Sequence, residues 1–371
     1  MRVIVAAAGT GGHINPAIAI ANKIKEKEPD SKIIFIGTPR GLENDLVPRA
    51  GYELRTVDAY GIRRKINLDN IKRLFKMFKA VKDSEKIIRE FKPDVVIGTG
   101  GYICVAVGTA AVKENVPIVL HESNAFPGVA IKLLAKDASK VLLGFEDAKA
   151  RIKADAVVTG TPTKITTKRL NSEEKTKIKE NIGLDTQIPT VLVFGGSQGA
   201  QTINKAVSQI IEQKLNKKYQ ILWAAGKKNY DELKESFKTK NLDIENLENA
   251  KIMPYIYNMQ EAMEISDLIV ARSGAMTITE ISQIGRPAIF IPYPFATENH
   301  QEYNAKVLAN AGGAEIILDK DLETNKLNEE IEKIVLDRVK VKQMSENATK
   351  VAKQNVEDKI YYEIKDAIKK K

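Results

Sequence analysis

Three histidines, a helix glutamate and a set of glycine loops are the residues here whose types and spacing could do chemistry. Gly9-Thr10-Gly11-Gly12-His13 follows the apolar run Val3 to Ala8, and Gly98-Thr99-Gly100-Gly101 follows Val95 to Ile97. Gly195-Gly196-Ser197-Gln198-Gly199-Ala200 follows Thr190 to Phe194, and Arg272-Ser273-Gly274-Ala275 follows Leu268 to Ala271. A β-prone run ending in glycines before a helical pattern reads as strand, tight turn, helix. Glycine serves where backbone turns sharply or meets a ligand closely, and the N–H groups of a helix start suit phosphate. One such loop is explained by turning alone; four at equivalent strand ends argue for a ligand. His13, His121 and His300 each adjoin one of these strand ends.

The ligand is narrowed by what the loops lack. The dinucleotide fingerprint fails at Ile14, which replaces its third glycine, and the second strand ends Phe35-Ile36-Gly37-Thr38 without a ribose-binding acid. No G-x-x-x-x-G-K-[ST] run is present, which argues against a P-loop nucleotidase. The histidines lack metal-ligand spacing. Asp319-Lys320-Asp321 fits a D-x-D pattern but sits in a charged turn, and reads as a solvated loop. No metal and no cofactor are expected. Glu280, six residues beyond Gly274, either faces the strand ends to accept ribose hydroxyls or stands as an ordinary surface glutamate.

The elements that must position these residues alternate. In the first half, Lys32 to Ile36, Asp94 to Ile97, Val116 to Leu120, Val141 to Leu143 and Ala156 to Val158 read as strands, with a helix from Ala17 to Lys27. The second half repeats the plan: Thr190 to Phe194 matches the first strand, Ser266 to Ala275 matches Pro93 to Tyr102, and Arg286 to Pro292 matches Val116 to Leu120. Two α/β domains with parallel sheets follow, and in such sheets ligands bind beyond the carboxyl ends of the strands. At 371 residues the chain is long enough for both. The expected division is 1–162, 163–340 and a charged helical segment 341–371 that could pack back on the first domain.

With 43% hydrophobic and 29% charged residues this is a globular composition. The single Cys104 allows no intramolecular disulfide, and a strand starting at residue 2 leaves no room for a signal peptide, so a cytoplasmic protein is expected. The uncharged stretch Val95 to Val112 is broken by Gly98 to Gly101 and reads as strand, loop and buried helix rather than a membrane span. The net charge of +10 is concentrated: Tyr60 to Lys92 holds 11 Lys or Arg against 4 Asp or Glu. Nucleic acid, anionic lipid and an acidic ligand are the partners such a segment suits.

Taken together, Gly9 to His13, His121-Glu122-Ser123-Asn124, Gly195 to Ala200, Arg272 to Ala275 through Glu280, and Asn299-His300-Gln301 with Asn304-Ala305 resemble the MurG family. The motifs run in order over nearly the whole chain. The resemblance implies a GT-B fold, two Rossmann-like domains with parallel sheets facing across a cleft, the donor mainly in the second and the acceptor mainly in the first. It implies transfer of N-acetylglucosamine from its UDP derivative to the muramyl C4 hydroxyl of undecaprenyl-linked lipid I, giving lipid II for peptidoglycan, cell shape and division. By motif, Ser197 would contact the donor phosphates, Ile256 the uracil, and Ala275, Met276 and Thr277 the diphosphate. Glu280 would take the ribose and Gln301 the sugar hydroxyls, with Thr10, Gly11, Gly12 and Asn124 closing the site. Lys164 stands where the family often has arginine, keeping the charge but losing the bidentate fork. Ser123 replaces a frequent glutamine, and His300 the first of a frequent Gln-Gln pair.

An inverting transfer needs a base at the acceptor hydroxyl, for which His13 is the candidate and Glu122 the alternative. Backbone N–H groups would stabilise the departing diphosphate in place of a metal. At ~100° per residue, Ile71, Leu74, Phe75, Phe78 and Val81 fall within an arc of roughly 120°, flanked by Lys72, Arg73, Lys76 and Lys79. This is the pattern of a helix lying in an anionic membrane surface, which predicts a peripheral protein on the cytoplasmic face; packing of the same helix on the sheet is the plain alternative. Cell-wall synthesis proteins are further expected partners, and nucleic acid is not, since no exposed aromatics are arranged for base stacking. The rival readings are another UDP-sugar-dependent glycolipid transferase and a UDP-sugar epimerase.

Overall fold

A computed structural model describes the chain apart from residues 62–67, 197–198 and 370–371 and the side chains of 68–72. It forms two compact units, Met1–Lys164 with Lys353–Lys371, and Ile165–Ala352.

The first unit runs β1 (Arg2–Ala6), α1 (Gly11–Lys27), β2 (Lys32–Gly37), α2 (Glu43–Arg49), β3 (Glu53–Thr56), α3 (Leu68–Phe91), β4 (Val95–Gly98), α4 (Tyr102–Lys113), β5 (Ile118–Glu122), α5 (Val129–Leu134), β6 (Lys140–Leu143) and β7 (Ala156–Val158). Its sheet is parallel in the order β3-β2-β1-β4-β5-β6-β7. The second runs α6 (Ser172–Asn181), β8 (Thr190–Phe194), α7 (Gln201–Glu212), β9 (Gln220–Ala224), α8 (Lys227–Thr239), β10 (Ala250–Met253), α9 (Met259–Glu264), β11 (Leu268–Ala271), α10 (Ala275–Ile284), β12 (Ala288–Phe290), α11 (His300–Asn310), β13 (Ala314–Ile316), α12 (Thr324–Val335) and α13 (Arg338–Val351). Its parallel order is β10-β9-β8-β11-β12-β13. In each sheet the order reverses once, between β1 and β4 and between β8 and β11. Such reversal points open a crevice beyond the strand ends, and the glycine loops lie there.

The central strands β1, β4, β5, β8 and β11 are apolar runs because helices cover both faces. β3, β9, β10 and β13 add to the strands legible in the sequence. β3, an edge strand reading Glu-Leu-Arg-Thr, is too polar and too little buried to announce itself. α1 starts at Gly11 rather than Ala17, which brings Thr10 to His13 into its opening turn. Val95 to Val112 forms β4, a glycine loop and α4. Among the described residues no helix is long and apolar enough to cross a membrane.

The segment 341–371 is divided. α13 belongs to the second unit, whereas the last helix, α14 (Val356–Lys369), belongs to the first. Val356, Ile360, Ile364 and Ala367 of α14 are buried in one cluster with Ile14, Ile20 and Ile24 of α1. Polar ties rim this contact. Glu28 takes Lys365 Nζ at 2.7 Å, Tyr361 Oη at 2.8 Å and the Met1 ammonium at 3.3 Å. Asp358 pairs with Lys27 at 2.9 Å and Lys23 at 3.2 Å.

Candidate active site

In the first unit the candidate residues lie at the ends of β1, β4 and β5. Gly9 has a φ of +92°, a left-handed conformation natural to glycine, and its N–H donates to Glu43 Oε2 at 2.9 Å. The other oxygen of this fully buried carboxylate accepts the Thr38 N–H at 2.8 Å and the Thr38 hydroxyl at 2.6 Å. Burial alone would raise the Glu43 carboxyl, but the bonds from Thr38 and Gly9 outweigh it and hold it below the usual range. The acid missing from the end of β2 therefore arrives from α2, and it serves the protein's own backbone. Its sequence signal is Gly41, where a Cβ would stand 1.9 Å from a Glu43 oxygen.

His13 lies in the first turn of α1. Its Nδ1 is 3.3 Å from the Ala8 carbonyl, which can only accept, so Nδ1 carries the proton and Nε2 is the basic nitrogen. The ring packs on Gly100, where a Cβ would approach Nε2 to 2.9 Å. Thr99 Oγ1 donates to the His13 carbonyl at 2.9 Å, tying the β4 loop to α1.

Glu122, the alternative base, has both oxygens engaged: Oε1 accepts from Asn124 N and Nδ2, each at 2.9 Å, and Oε2 from Gly128 N at 2.7 Å. A carboxylate holding three N–H donors shapes the turn after β5, with both of its oxygens engaged by its own loop. His121 is fully buried; burial lowers its pKa to about 4, and its Nε2–H donates to the Gly160 carbonyl at 3.1 Å. Lys164, the last residue of the unit's first segment, is exposed.

In the second unit two helices start at the glycine loops after β8 and β11. α7 and α10 begin with neither a capping side chain nor an acid in the first turn. Ala275, Met276 and Thr277 form the first turn of α10, and Glu280 follows on the same helix, half-buried. Ile256 is buried in the loop after β10, between Tyr255 and Tyr257, whose rings meet edge to face at 4.9 Å. Gln301 opens α11: its Oε1 accepts the Tyr293 N–H at 2.9 Å and its carbonyl accepts Ser273 Oγ at 2.8 Å. These residues gather at the carboxyl end of one sheet. Ser197 lies outside the described residues.

A network that sequence reasoning missed braces this end. Arg272 reaches Asp319 at 2.5 Å, the Ile291 carbonyl at 2.9 Å and Thr202 Oγ1 at 2.9 Å, while Thr202 Oγ1 donates to Asp319 at 2.8 Å. Asp319, expected in a solvated loop, has a side chain only 14% exposed and is the counter-ion of Arg272. Among the described residues no group of three or more His, Cys, Asp or Glu could hold a metal.

On α3, Leu74, Phe75 and Phe78 are 46%, 72% and 62% exposed, and Lys79 is exposed beside them. Val81, expected in the same apolar arc, is instead buried with Ala80, Ile88 and Phe91, because this half of α3 packs into the core. Lys76 and Arg73 turn back toward Tyr60 and Gly61. The side chains of Ile71 and Lys72 lie outside the described residues.

Comparisons with known proteins complete the picture. Residues 3–143 match the glycosyltransferase family 28 N-terminal domain, and residues 190–360 match its C-terminal domain. A relative from Acetivibrio thermocellus is 40% identical over 372 residues, covering 100% of this chain and 99% of its own length. That protein is named UDP-N-acetylglucosamine–N-acetylmuramyl-(pentapeptide) pyrophosphoryl-undecaprenol N-acetylglucosamine transferase. The crystal structure of MurG from Acinetobacter baumannii superposes with a TM-score of 0.79 at 26% identity, covering 98% of this chain and 99% of that one.

The chain belongs to glycosyltransferase family 28, and within it to the MurG family. As a family member it is a glycosyltransferase with two Rossmann-like domains of the GT-B kind. A UDP-N-acetylglucosamine 2-epimerase from Neisseria meningitidis, with a TM-score of 0.63 and 14% identity over 98% of this chain and 99% of that one, shares the fold alone.

Proposed function

We propose that this member of the MurG family transfers N-acetylglucosamine from UDP-N-acetylglucosamine to the C4 hydroxyl of the muramyl sugar of lipid I, forming lipid II. The carrying observation is the 40% identity, end to end, with a relative named for that transfer. The donor binds the second unit. The open amides of Ala275, Met276 and Thr277 and the loop carrying Ser197 take the diphosphate, Ile256 the uracil, Glu280 the ribose and Gln301 the sugar. Thr10, Gly11, Gly12, Asn124 and Lys164 are the first unit's share of donor contacts.

In the reaction the acceptor hydroxyl attacks the anomeric carbon, the bond to the UDP oxygen breaks, and the configuration inverts. His13 Nε2 takes the hydroxyl proton, its tautomer fixed by the Nδ1–H bond to Ala8. Negative charge grows on the leaving diphosphate, and helix-start amides stabilise it without a metal. The exposed Leu74, Phe75 and Phe78, with Lys79 beside them, suit an anionic membrane surface on the cytoplasmic side, where a polyprenyl-linked acceptor would be met.

The test is transfer of labelled N-acetylglucosamine to a short-chain lipid I analogue, with other UDP sugars as controls. Product from UDP-N-acetylglucosamine alone is expected. An enzyme that makes none, or that only epimerises the free donor, removes the assignment.

A further inference from the structure

A cluster of cations stands at the start of α3 that the reading above does not use. Tyr60 is its centre. The Arg40 guanidinium lies over the Tyr60 ring at 4.1 Å, Lys76 Nζ at 4.3 Å and the Arg73 guanidinium at 5.7 Å. Arg40 Nη1 and Lys76 Nζ also donate to the Tyr60 hydroxyl, at 2.9 and 3.2 Å. Asp58 is the carboxylate of the cluster, 2.5 Å from Arg40 and 3.4 Å from Lys76. Among the described residues, Arg40 and Lys76 thus share one phenol and one carboxylate, with the Arg73 guanidinium nearby. Such crowding is offset by an arriving anion, and arginine's planar fork matches phosphate oxygens.

The surroundings specify which anion. On one side, α3 continues from Lys76 directly into the exposed Phe75 and Phe78. On the other, Gly61 packs on the Tyr102 ring, where a Cβ would stand 3.5 Å away, and Tyr102 follows Gly100 and Gly101, which pack on His13. Within one unit, therefore, the order is basic nitrogen, cation cluster, exposed apolar face. A sugar hydroxyl, a diphosphate and a lipid chain come in the same order along a lipid-linked sugar.

We infer that Arg40, Arg73 and Lys76, gathered around Tyr60, form the subsite for the diphosphate that joins the acceptor sugar to its lipid. This rests on the transfer proposed above. Arg40 and Lys76 supply charge and N–H donors, Tyr60 holds them in place, and Asp58 keeps the empty cluster from spreading. Nothing covalent happens there; the subsite sets where the sugar lies relative to His13.

The experiment is steady-state transfer to a soluble short-chain sugar-diphosphate-lipid analogue with no membrane present, paired with sedimentation on anionic vesicles. Arg40→Ala and Lys76→Ala should each raise the acceptor KM tenfold or more. The KM for UDP-N-acetylglucosamine should stay within twofold, which also shows that the variants are folded. Asp58→Asn should lower the acceptor KM about threefold, a change that a damaged fold does not produce. Vesicle binding should persist in all three. Unchanged acceptor KM values in an active enzyme overturn the subsite and leave the transfer standing; if vesicle binding falls at the same time, the cluster reads lipid headgroups instead. A wild-type enzyme that makes no product removes both readings.

Discussion

The glycine loops of the two units occupy the same place in the same topology and differ in what meets their amides. In the first unit the protein supplies its own anions: Glu43 takes the Gly9 amide, and Glu122 takes the amides of Asn124 and Gly128. In the second, among the described residues, α7 and α10 open with no side-chain cap and no acid in the first turn, as α1 and α4 of the first unit also do, so the contrast lies in the loop amides. An amide bonded to an internal carboxylate is held rigidly and is not offered to phosphate, whereas one left unfilled can meet a ligand. A glycine loop by itself does not identify a nucleotide site; what matters is which anion reaches its amides first.

This contrast can be broken from either side. The largest effect is expected at His13, which the filled loop holds. His13→Ala should lower kcat about 10²- to 10⁴-fold, the range of general base catalysis, with little change in the KM for UDP-N-acetylglucosamine. Steady-state rates decide it, and full turnover would reject the base. Next is a carboxylate placed in the open nest. Met276→Asp, at a half-buried position of the same turn, should raise the donor KM tenfold or more while stabilising the helix by about 0.3–1 kcal/mol, so thermal melting and binding should move in opposite directions.

Emptying the filled nest is the reverse change. Glu43→Ala strands the buried Thr38 donors at about 1–3 kcal/mol each, and the half-buried Gly9 N–H at less. The melting temperature should fall, and kcat should drop about tenfold with the donor KM unchanged. Glu43→Gln, which keeps one acceptor oxygen, should fall between the two. An unchanged kcat in a destabilised Glu43→Ala enzyme would confine the residue to folding.

The smallest effect is expected far from either nest. Bonds from Lys365 and Tyr361 outweigh burial and hold the Glu28 carboxyl at about 2, below its ordinary 4.5. Stability from such a depressed acid is complete above pH 4.5 and is lost as the pH falls toward 2. Glu28→Gln should cost about 1 kcal/mol at neutral pH, since the pair is partly solvated, and should flatten the acid limb of the unfolding profile. Denaturant titrations between pH 2 and 6, on a variant that remains native at the upper end, measure this.

Much of this was legible in the chain because it rests on local pattern. The buried strands β1, β4, β5, β8 and β11 read as apolar runs, and the loops after them read as glycines. β3 was not legible, since an edge strand half open to solvent carries no apolar period. The network of Arg272, Thr202 and Asp319 was hidden for another reason. Its members come from three separate strand ends, and only the sheet order brings them together. Glu43 escaped for the same cause, arriving from α2 where a ribose acid was sought on β2. Val81 fell in the helical arc of Phe75 and Phe78, but periodicity around a helix does not say where along it the core ends.

α14 carries a consequence for biosynthesis. The face of α1 that it covers is translated before the second unit, and its cover emerges only after that entire unit, Ile165–Ala352. At about 5–20 residues per second, that interval is on the order of ten to forty seconds. Throughout it the nascent first unit holds Ile20 and Ile24 without the α14 side chains that finally pack on them. The unit that comes first in the chain is thus closed by a helix made only after the second.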